Sequence, residues 1–396
     1  MILQSLELDS FRSFPSLALQ LDARGGVLEA PNGRGKTNFL EAIHYLSLFR
    51  SFRGATDAEL PTFGARAFRV RGEVMDESGR RRSVGAAVEG ARKQISVDGA
   101  RLRPAEAIGT ALSVILSPSD IRLVQGSPAR RRRYLDVVLS LVSPRYLRAL
   151  QEYRRALKQR NRVLQAAGGG LSAHGALLAP WTEGVAAHGG VILAERHRFL
   201  ARWGQRFADI SERLGGSAAA ALAWRYESTI VVTVEEVARR PQLALVGAGA
   251  AEDEDDPPGD AAPFVDALRQ ELDRRAPAER RRGMTLAGPH RDDLSLHAEA
   301  GAERDLRTFG SQGEQRTAAL ALRFLEAEVL TRERGQLPVV LLDDVFSELD
   351  PRRSRELLGF LAPGQQVFLT TPKPLSDDLA LDLPSYAVEA GAVLAT

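Results

Sequence analysis

A glycine-containing loop near the start of the chain has the residue types needed to bind phosphate groups. A short strand-like run leads into it, and a helical pattern of apolar residues follows it. Glycine lets the backbone fold tightly enough for several N–H groups to face one anion at the positive end of a helix. We predict that this loop binds a nucleotide and comprises Ala30, Pro31, Asn32, Gly33, Arg34, Gly35, Lys36, Thr37 and Asn38.

Two side chains of the loop are assigned separate tasks. The Lys36 ammonium can reach the outer phosphates, and the Thr37 hydroxyl can bind Mg²⁺. The usual pattern of such loops begins with glycine, whereas this chain has Ala30. Alanine fits that position if its φ angle is negative, so we treat the difference as tolerated. The alternative interpretation is a loop–helix junction that binds no nucleotide.

Two adjacent carboxylates follow an apolar run late in the chain. The run at residues 337–342 fits a buried parallel strand. Asp343 and Asp344 stand at its carboxyl end, where α/β sheets bind their ligands. We predict that Asp343 binds Mg²⁺ and that Asp344 is the catalytic residue, which orients or deprotonates the attacking water. A surface turn with two acids is the alternative.

A serine-containing segment between these motifs allows two interpretations. Ser311 precedes a predicted helix at about residues 314–334, and Glu314 follows three residues later, which is an ordinary N-terminal capping box. The same segment resembles the signature of ABC ATPases, whose helix N-terminus faces the γ-phosphate held by a partner subunit. The order of the three motifs favours the signature. We therefore predict nucleotide contacts from Ser311, Gln312, Gly313, Glu314 and Gln315.

Five segments together resemble the RecF family and extend over nearly the whole chain. They are residues 6–14, 32–43, 117–128, 287–294 and 341–350. The resemblance implies a bacterial DNA-repair protein that uses ATP and Mg²⁺, forms a homodimer on ATP and hydrolyses it weakly, with stimulation by DNA. It also implies binding to DNA at single-strand gaps and at junctions of single- and double-stranded DNA. In the family, the protein acts with RecR and RecO to load the RecA recombinase.

Composition limits the classes of protein that this chain can belong to. Its 396 residues are 44% hydrophobic and 26% charged, as is usual for globular proteins. Apolar stretches are too short for a membrane span. We also expect no association with a membrane. We expect no secretion signal at the start of the sequence. The chain has no cysteine, which excludes disulfides and cysteine-bound zinc. We expect a cytoplasmic location.

A basic segment suggests contacts with DNA phosphates. Residues 122–162 contain eleven arginines and one lysine against two acids, a local balance of +10 in a chain whose net charge is +2. Such a segment favours binding to a phosphate backbone. A solvated helix face is the alternative. The candidate DNA contacts are Arg130, Arg131, Arg132 and Arg133.

The predicted fold is α/β, an ABC-type P-loop ATPase head with an inserted helical lid or arm. Residues 1–120 form the first part of the head, with strands expected at 2–8, 17–21, 26–29, 68–74, 82–88 and 94–97. Residues 121–283 form the mainly helical insertion, with a disordered acidic loop at 246–263. Residues 284–396 complete the head and carry the signature and the acid pair.

Two other functions remain compatible with the motifs. An ATPase subunit that energises a membrane transporter would have a membrane partner and no affinity for DNA. A structural chromosome clamp would bind DNA without a loading role. The insertion before Ser311 is long for a transporter subunit, and it lacks the extended heptad arms of SMC proteins.

Overall fold

The structure is a computed structural model that describes residues 1–166, 173–216, 221–232, 261–300, 302–373, 382–389 and 391–395. Its strands are numbered in chain order. They are β1 (Ile2–Phe11), β2 (Phe14–Gln20), β3 (Gly25–Glu29), β4 (Ala67–Met75), β5 (Arg81–Glu89), β6 (Arg92–Val97), β7 (Ala100–Leu102), β8 (Ser113–Leu116), β9 (Ala221–Glu227), β10 (Asp293–Ala300), β11 (Ala302–Asp305), β12 (Val339–Asp343), β13 (Val367–Thr371), β14 (Ser385–Glu389) and β15 (Ala392–Ala395).

The α-helices are numbered in the same way. They are α1 (Lys36–Leu48), α2 (Pro104–Ala107), α3 (Arg122–Gln125), α4 (Pro128–Val142), α5 (Pro144–Ala166), α6 (Ala173–Gly215), α7 (Ala262–Arg282), α8 (Leu306–Phe309), α9 (Gln312–Arg334) and α10 (Pro351–Leu358). Within the described ranges, no helix is long and apolar enough to cross a membrane.

The chain divides into two compact units. Unit 1 contains Met1–Arg122, Asp209–Ala221 and Ser311–Thr396, and unit 2 contains Leu123–Ala208 and Leu222–Gly310. The predicted return to the head at residue 284 is therefore too early. Residues 284–310 belong to unit 2 because β10 lies between β9 and β11 in a separate three-stranded sheet and does not extend either sheet of unit 1.

A mostly parallel sheet forms one layer of unit 1. Its strand order is β15-β14-β3-β13-β12-β8, and every neighbouring pair except β14 and β15 is parallel. All residues of β8, β12 and β13 are buried, as expected for strands covered on both faces. The apolar run before the acid pair forms β12 of this sheet, as predicted, and this strand begins at Val339 and ends with Asp343.

An antiparallel sheet forms the second layer of unit 1, with strand order β2-β1-β4-β5-β6-β7. Burial alternates along β4, as expected for a sheet with one face on the core. The predicted strands in this region are all present, with ends that differ by up to three residues. Asp98 and Gly99 form the turn that connects β6 to β7. Their φ angles are 52° and 80°, and the two-residue hairpin turn that needs two positive φ angles commonly contains Asp followed by Gly.

Helix α1 packs against strands of both sheets. Its apolar residues lie on all sides, and Phe39, Leu40, Ile43 and Leu46 are buried. A helix that is apolar all round needs such a covered position. Each of these side chains contributes about 1.5–3 kcal/mol by burial, so α1 is fixed firmly within unit 1.

Unit 2 combines helices α4, α5, α7 and α8, and α6 as far as Ala208, with the three-stranded sheet, and buried arginines join several of these elements. The fully buried Arg160 pairs with Glu279 at 2.7 Å, and Arg196 pairs with Asp136 at 2.8 Å. The helical prediction for this region agrees with α4, α5 and α6. Most of the predicted acidic loop lies outside the described residues. Its last residues do not fit that prediction, because α7 already begins at Ala262.

Candidate functional site

Three neighbouring strands of the parallel sheet bring the predicted loop and the acid pair together. The loop follows β3, the acid pair lies at the carboxyl end of β12, and β13 lies between these two strands. The carboxyl ends of parallel strands meet at one edge of a sheet, where ligands of such folds bind. The sequence motifs separated by some three hundred residues therefore share one edge.

Glycine is required at two turns of the loop. Gly33 and Gly35 have φ angles of 81° and 105°, which other residues rarely adopt. A Cβ atom on Gly35 would also lie 2.5 Å from the Oγ atom of Ser13. Ala30 is not among the described residues with positive φ, so the departure from the usual glycine causes no strain there.

Lys36 is held inside the loop. Its side chain is only 6% exposed, and its Nζ atom donates hydrogen bonds to the carbonyl oxygens of Ala30 and Pro31, the second at 3.1 Å. Burial lowers the pKa of Lys36. Phosphate oxygens are stronger acceptors for an ammonium group than neutral carbonyls, so an anion would be a better partner for this cation.

A direct hydrogen bond joins the loop to the acid pair. The Thr37 hydroxyl donates to Oδ1 of Asp343 at 2.8 Å. Asp343 is 8% exposed, and its burial raises the pKa of the carboxyl group, against the effect of the hydrogen bonds that it accepts. A buried carboxylate beside a hydroxyl offers the oxygen ligands that Mg²⁺ prefers, and the cation would stabilise its charge. These two residues therefore fit a Mg²⁺ ion.

Asp344 has an unusual backbone and an unsatisfied oxygen. Its φ and ψ angles are 50° and 30°, the left-handed region, which costs a residue other than glycine about 1–2 kcal/mol. Its Oδ1 atom is buried and has no hydrogen-bond partner. Strained residues and unsatisfied polar atoms concentrate at functional sites, where a ligand or water supplies the partner. The catalytic role of Asp344 remains a prediction.

The serine-containing segment forms the capping box of α9. The Ser311 hydroxyl accepts from the Glu314 N–H at 3.2 Å, and the Glu314 carboxylate accepts from the Ser311 N–H at 2.7 Å. Helix α9 begins at Gln312, two residues before the predicted start. Gln315 is buried, whereas Ser311 and Gln312 are exposed. The capping interpretation holds, and nucleotide contacts from this segment remain a prediction.

Arg131 is wrongly placed among the DNA contacts. Its side chain is buried, at 3% exposure, and donates to both carboxylate oxygens of Asp293 at 2.8 and 2.7 Å. It also donates to the carbonyl oxygens of Val124 and Gly126. Such a guanidinium stabilises unit 2 and is not accessible to a phosphate backbone. Four arginines in a row do not show which of them is buried, so this role could not be predicted from the sequence.

The other three arginines of this run differ in accessibility. Arg132 is half-buried and donates to the carbonyl oxygen of Asp292 at 2.5 Å. Arg130 and Arg133 are exposed on α4, and residues three apart lie on the same face of a helix. Only these two keep the accessibility that a contact with DNA phosphates requires.

The local charge of +10 overstates the positive surface of the basic segment. Several of its arginines pair with acids that lie elsewhere in unit 2, including Glu195, Glu279 and Asp293. Charges counted along the sequence omit these partners because folding brings them in from distant elements. Fewer arginines of this segment are therefore available to DNA phosphates than the sequence suggested.

One ion cluster beside the loop was not predicted. Glu41 of α1 is fully buried and accepts from Arg12 at 2.9 and 3.1 Å and from the Ser51 hydroxyl. Arg53 lies 3.7 Å from the same carboxylate and donates to the Asn38 side chain at 3.2 Å. A glutamate within the otherwise apolar pattern of α1 was the available signal, because a buried acid needs cationic partners.

Replacing Arg131 with alanine should lower the free energy of unfolding by about 3–5 kcal/mol, because the Asp293 carboxylate would lose its buried partner. The exposed Arg130 provides the matched control, and its alanine variant should change stability by only about 0.5 kcal/mol. Urea unfolding followed by circular dichroism measures both. Equal, small losses for the two variants would contradict the structural role of Arg131.

Comparisons with known proteins agree with this arrangement. The family model described as the RecF/RecN/SMC N terminal domain matches residues 2–375. The DNA replication and repair protein RecF of Thermomicrobium roseum is 36% identical over 408 residues, which cover 99% of each chain. The protein of the same name from Acidothermus cellulolyticus is 39% identical, with 94% of each chain covered.

A solved structure shows the same fold. The recombination mediator protein RecF-ATP in the RecFOR pathway matches with a TM-score of 0.83 and 29% identity, covering 100% of this chain and 97% of that one. The predicted α/β fold class, an ABC-type P-loop ATPase head with an inserted helical domain, is confirmed. The family model and the full-length relatives lead to one conclusion: this chain belongs to the RecF family.

Proposed function

We propose that this protein is an ATP-dependent DNA-binding protein of recombinational repair and replication restart. The hydrogen bond between Thr37 and Asp343 carries the proposal, because it joins the phosphate loop and the acid pair in one site. Relatives that match nearly the full chain are named DNA replication and repair proteins. A similar solved protein is described as an ATP form within the RecFOR pathway.

Each residue of the site has a separate task in the proposed reaction. The loop N–H groups and Lys36 would bind the phosphates, and Thr37 and Asp343 would hold Mg²⁺. A bound Mg²⁺ would neutralise part of the charge on the phosphates. Asp344 accepts a hydrogen bond from the attacking water and orients it toward the γ-phosphate. Its unsatisfied Oδ1 atom supports this task.

The second half of each nucleotide site comes from another copy of the chain. Residues 311–315 of the partner would face the γ-phosphate, where the positive end of a long helix stabilises an anion. ATP would then join two copies, and slow hydrolysis, stimulated by DNA, would release them. Exposure of Ser311 and Gln312 is compatible with this contact.

The proposed DNA substrates are single-strand gaps and junctions of single- and double-stranded DNA in the cytoplasm. Arg130 and Arg133 are the accessible candidates for phosphate contacts. The proposed partners are RecR and RecO, with which the protein would help to load RecA. A transporter ATPase would instead bind no DNA, and a structural clamp would bind DNA without stimulating loading.

Replacing Ser311 with arginine tests the proposal, because the bulky cation would occupy the docking position of the partner's γ-phosphate. The variant should bind ATP as a monomer, whereas the unchanged protein should form dimers with ATP and not with ADP. Light scattering and a nucleotide-binding assay measure the two properties. Gel shifts on gapped DNA, with and without ATP, should show ATP-enhanced binding that the variant lacks.

Ser311→Ala controls for the lost cap, which stabilises α9 by about 1 kcal/mol. This control should still dimerise, because it adds no bulk. Dimers of Ser311→Arg in ATP would mean that the segment is only a helix cap. Absence of DNA binding by the unchanged protein would favour the transporter function.

A further inference from the structure

We propose that Thr370 is a positioning residue that holds Asp343 and Asp344 in the geometry needed for hydrolysis. The inference rests on the proposed function, because it assigns a task within the same site. Thr370 lies on β13 directly beside Asp343 of β12 in the parallel register. Its side chain is 1% exposed, so it acts only through its neighbours within the protein.

The Thr370 hydroxyl bonds to both acids of the pair. It donates to Oδ1 of Asp343 at 3.0 Å and accepts from the Asp344 backbone N–H at 3.0 Å. A hydroxyl has one donor and two acceptor sites, so both bonds form at once. The Asp344 N–H occupies an acceptor site of the hydroxyl, and the single hydroxyl proton is donated to Asp343.

The bond to Asp344 stabilises an unfavourable backbone conformation. The left-handed angles of Asp344 turn the chain sharply after β12, and the Thr370 hydroxyl satisfies the N–H at that turn. A buried N–H without a partner costs about 1–3 kcal/mol. Losing the hydroxyl would allow the turn to relax and would move the Asp344 carboxylate away from its present direction.

The bond to Asp343 completes a shared arrangement with the loop. The Oδ1 atom of Asp343 accepts from two threonine hydroxyls, Thr37 on the phosphate loop and Thr370 on β13. Two donors at one oxygen fix the carboxylate plane more firmly than one would. Thr370 thus supports both the carboxylate that would hold Mg²⁺ and the backbone of the residue that would orient water.

The next residue provides a matched control. Thr371 has the same side chain and is also buried, but its hydroxyl donates to the carbonyl oxygen of Lys373 and accepts from the Lys373 N–H at 3.3 Å. Its described bonds are therefore to the turn after β13, and the acid pair is not among them. A general effect of removing a buried hydroxyl from β13 should appear in the variants of both threonines. An effect that acts through Asp343 and Asp344 should appear only in the variants of Thr370.

Thr370→Val keeps the shape of the side chain and removes both hydrogen bonds. We expect ATP affinity and ATP-induced dimerisation to remain within about twofold, because Lys36 and the loop are unchanged. Single-turnover hydrolysis within the dimer should fall by about 10- to 100-fold, the effect of small misplacements in active sites. The ATP dimer should persist longer by the same factor. Thr370→Ser should restore the hydrolysis rate and the dimer lifetime of the unchanged protein. Thr371→Val should alter neither of them.

The measurements are binding of a fluorescent ATP analogue, dimer lifetime by light scattering after dilution, single-turnover hydrolysis and thermal melting. Unchanged hydrolysis in Thr370→Val, or an equal loss in Thr371→Val, would overturn the inference. If Thr370→Val does not fold, Thr370→Ala and Thr370→Ser form the decisive pair, with slow hydrolysis expected only for alanine. Failure of the unchanged protein to bind ATP or dimerise would instead reject the proposed function.

Discussion

An Asp344→Asn variant is expected to bind ATP and form dimers, and then to hydrolyse ATP about 100- to 10,000-fold more slowly than the unchanged protein. That range is the usual contribution of a group that positions or deprotonates a reacting water. Asparagine cannot accept a proton, but it has nearly the same size and Asp343 remains available for Mg²⁺. Dimers should therefore accumulate on gapped DNA.

The choice of asparagine follows from the backbone of Asp344. Its φ angle of 50° lies in the left-handed region, which asparagine tolerates better than most residues. Alanine at this position would combine loss of the carboxylate with backbone strain, so its effect could not be assigned. Single-turnover hydrolysis and gel shifts on gapped DNA measure the outcome. A normal rate of ATP hydrolysis in Asp344→Asn would show that the Asp344 carboxylate takes no part in the reaction.

The second large effect is expected for Lys36→Met, which should weaken ATP binding by about 10- to 100-fold, since a hydrogen bond to a charged group contributes about 1.5–3 kcal/mol. ATP-induced dimerisation and ATP-enhanced DNA binding should fall with it. Isothermal titration calorimetry and light scattering measure these changes.

Stability should respond differently from binding in this variant. The cost of burying the Lys36 ammonium, which lowers its pKa, offsets the hydrogen bonds that it donates to Ala30 and Pro31, so an apolar side chain of similar length should change the melting temperature little. Lys158→Met makes the same exchange at an exposed position of α5 and should alter neither the ATP affinity nor the melting temperature. Normal ATP affinity in Lys36→Met would contradict the assignment of the loop.

Local patterns were sufficient to predict the elements around the site. One such pattern is the strand β3, followed by a loop with two glycines and by helix α1. Another is the apolar run before Asp343. Each lies within a short stretch of sequence. The capping box of α9 is also local, because its two partners are three residues apart. Such features depend on neighbours along the chain, which a sequence shows directly.

Features that depend on distant partners were missed or misplaced. Arg131 was assigned to DNA because its partner Asp293 is 162 residues away. The strands β10 and β11 were assigned to the head because nothing in their own sequence indicates a pairing with β9. The strands β7 and β8 have three and four residues, too few for a period to be recognised.

The position of β3 in the parallel sheet has a consequence for synthesis of the protein on the ribosome. Its two neighbours are β13 and β14, which begin only at Val367 and Ser385 and are therefore translated long after β3. At about 5–20 residues per second, the nascent chain keeps β3 without either partner for tens of seconds. In that time the loop that follows β3 lacks the backbone hydrogen bond from Ala30 to Thr371 of β13. We therefore expect the proposed nucleotide site to form only after β13 and β14 have been translated, and until then the two unpaired edges of β3 need protection from aggregation.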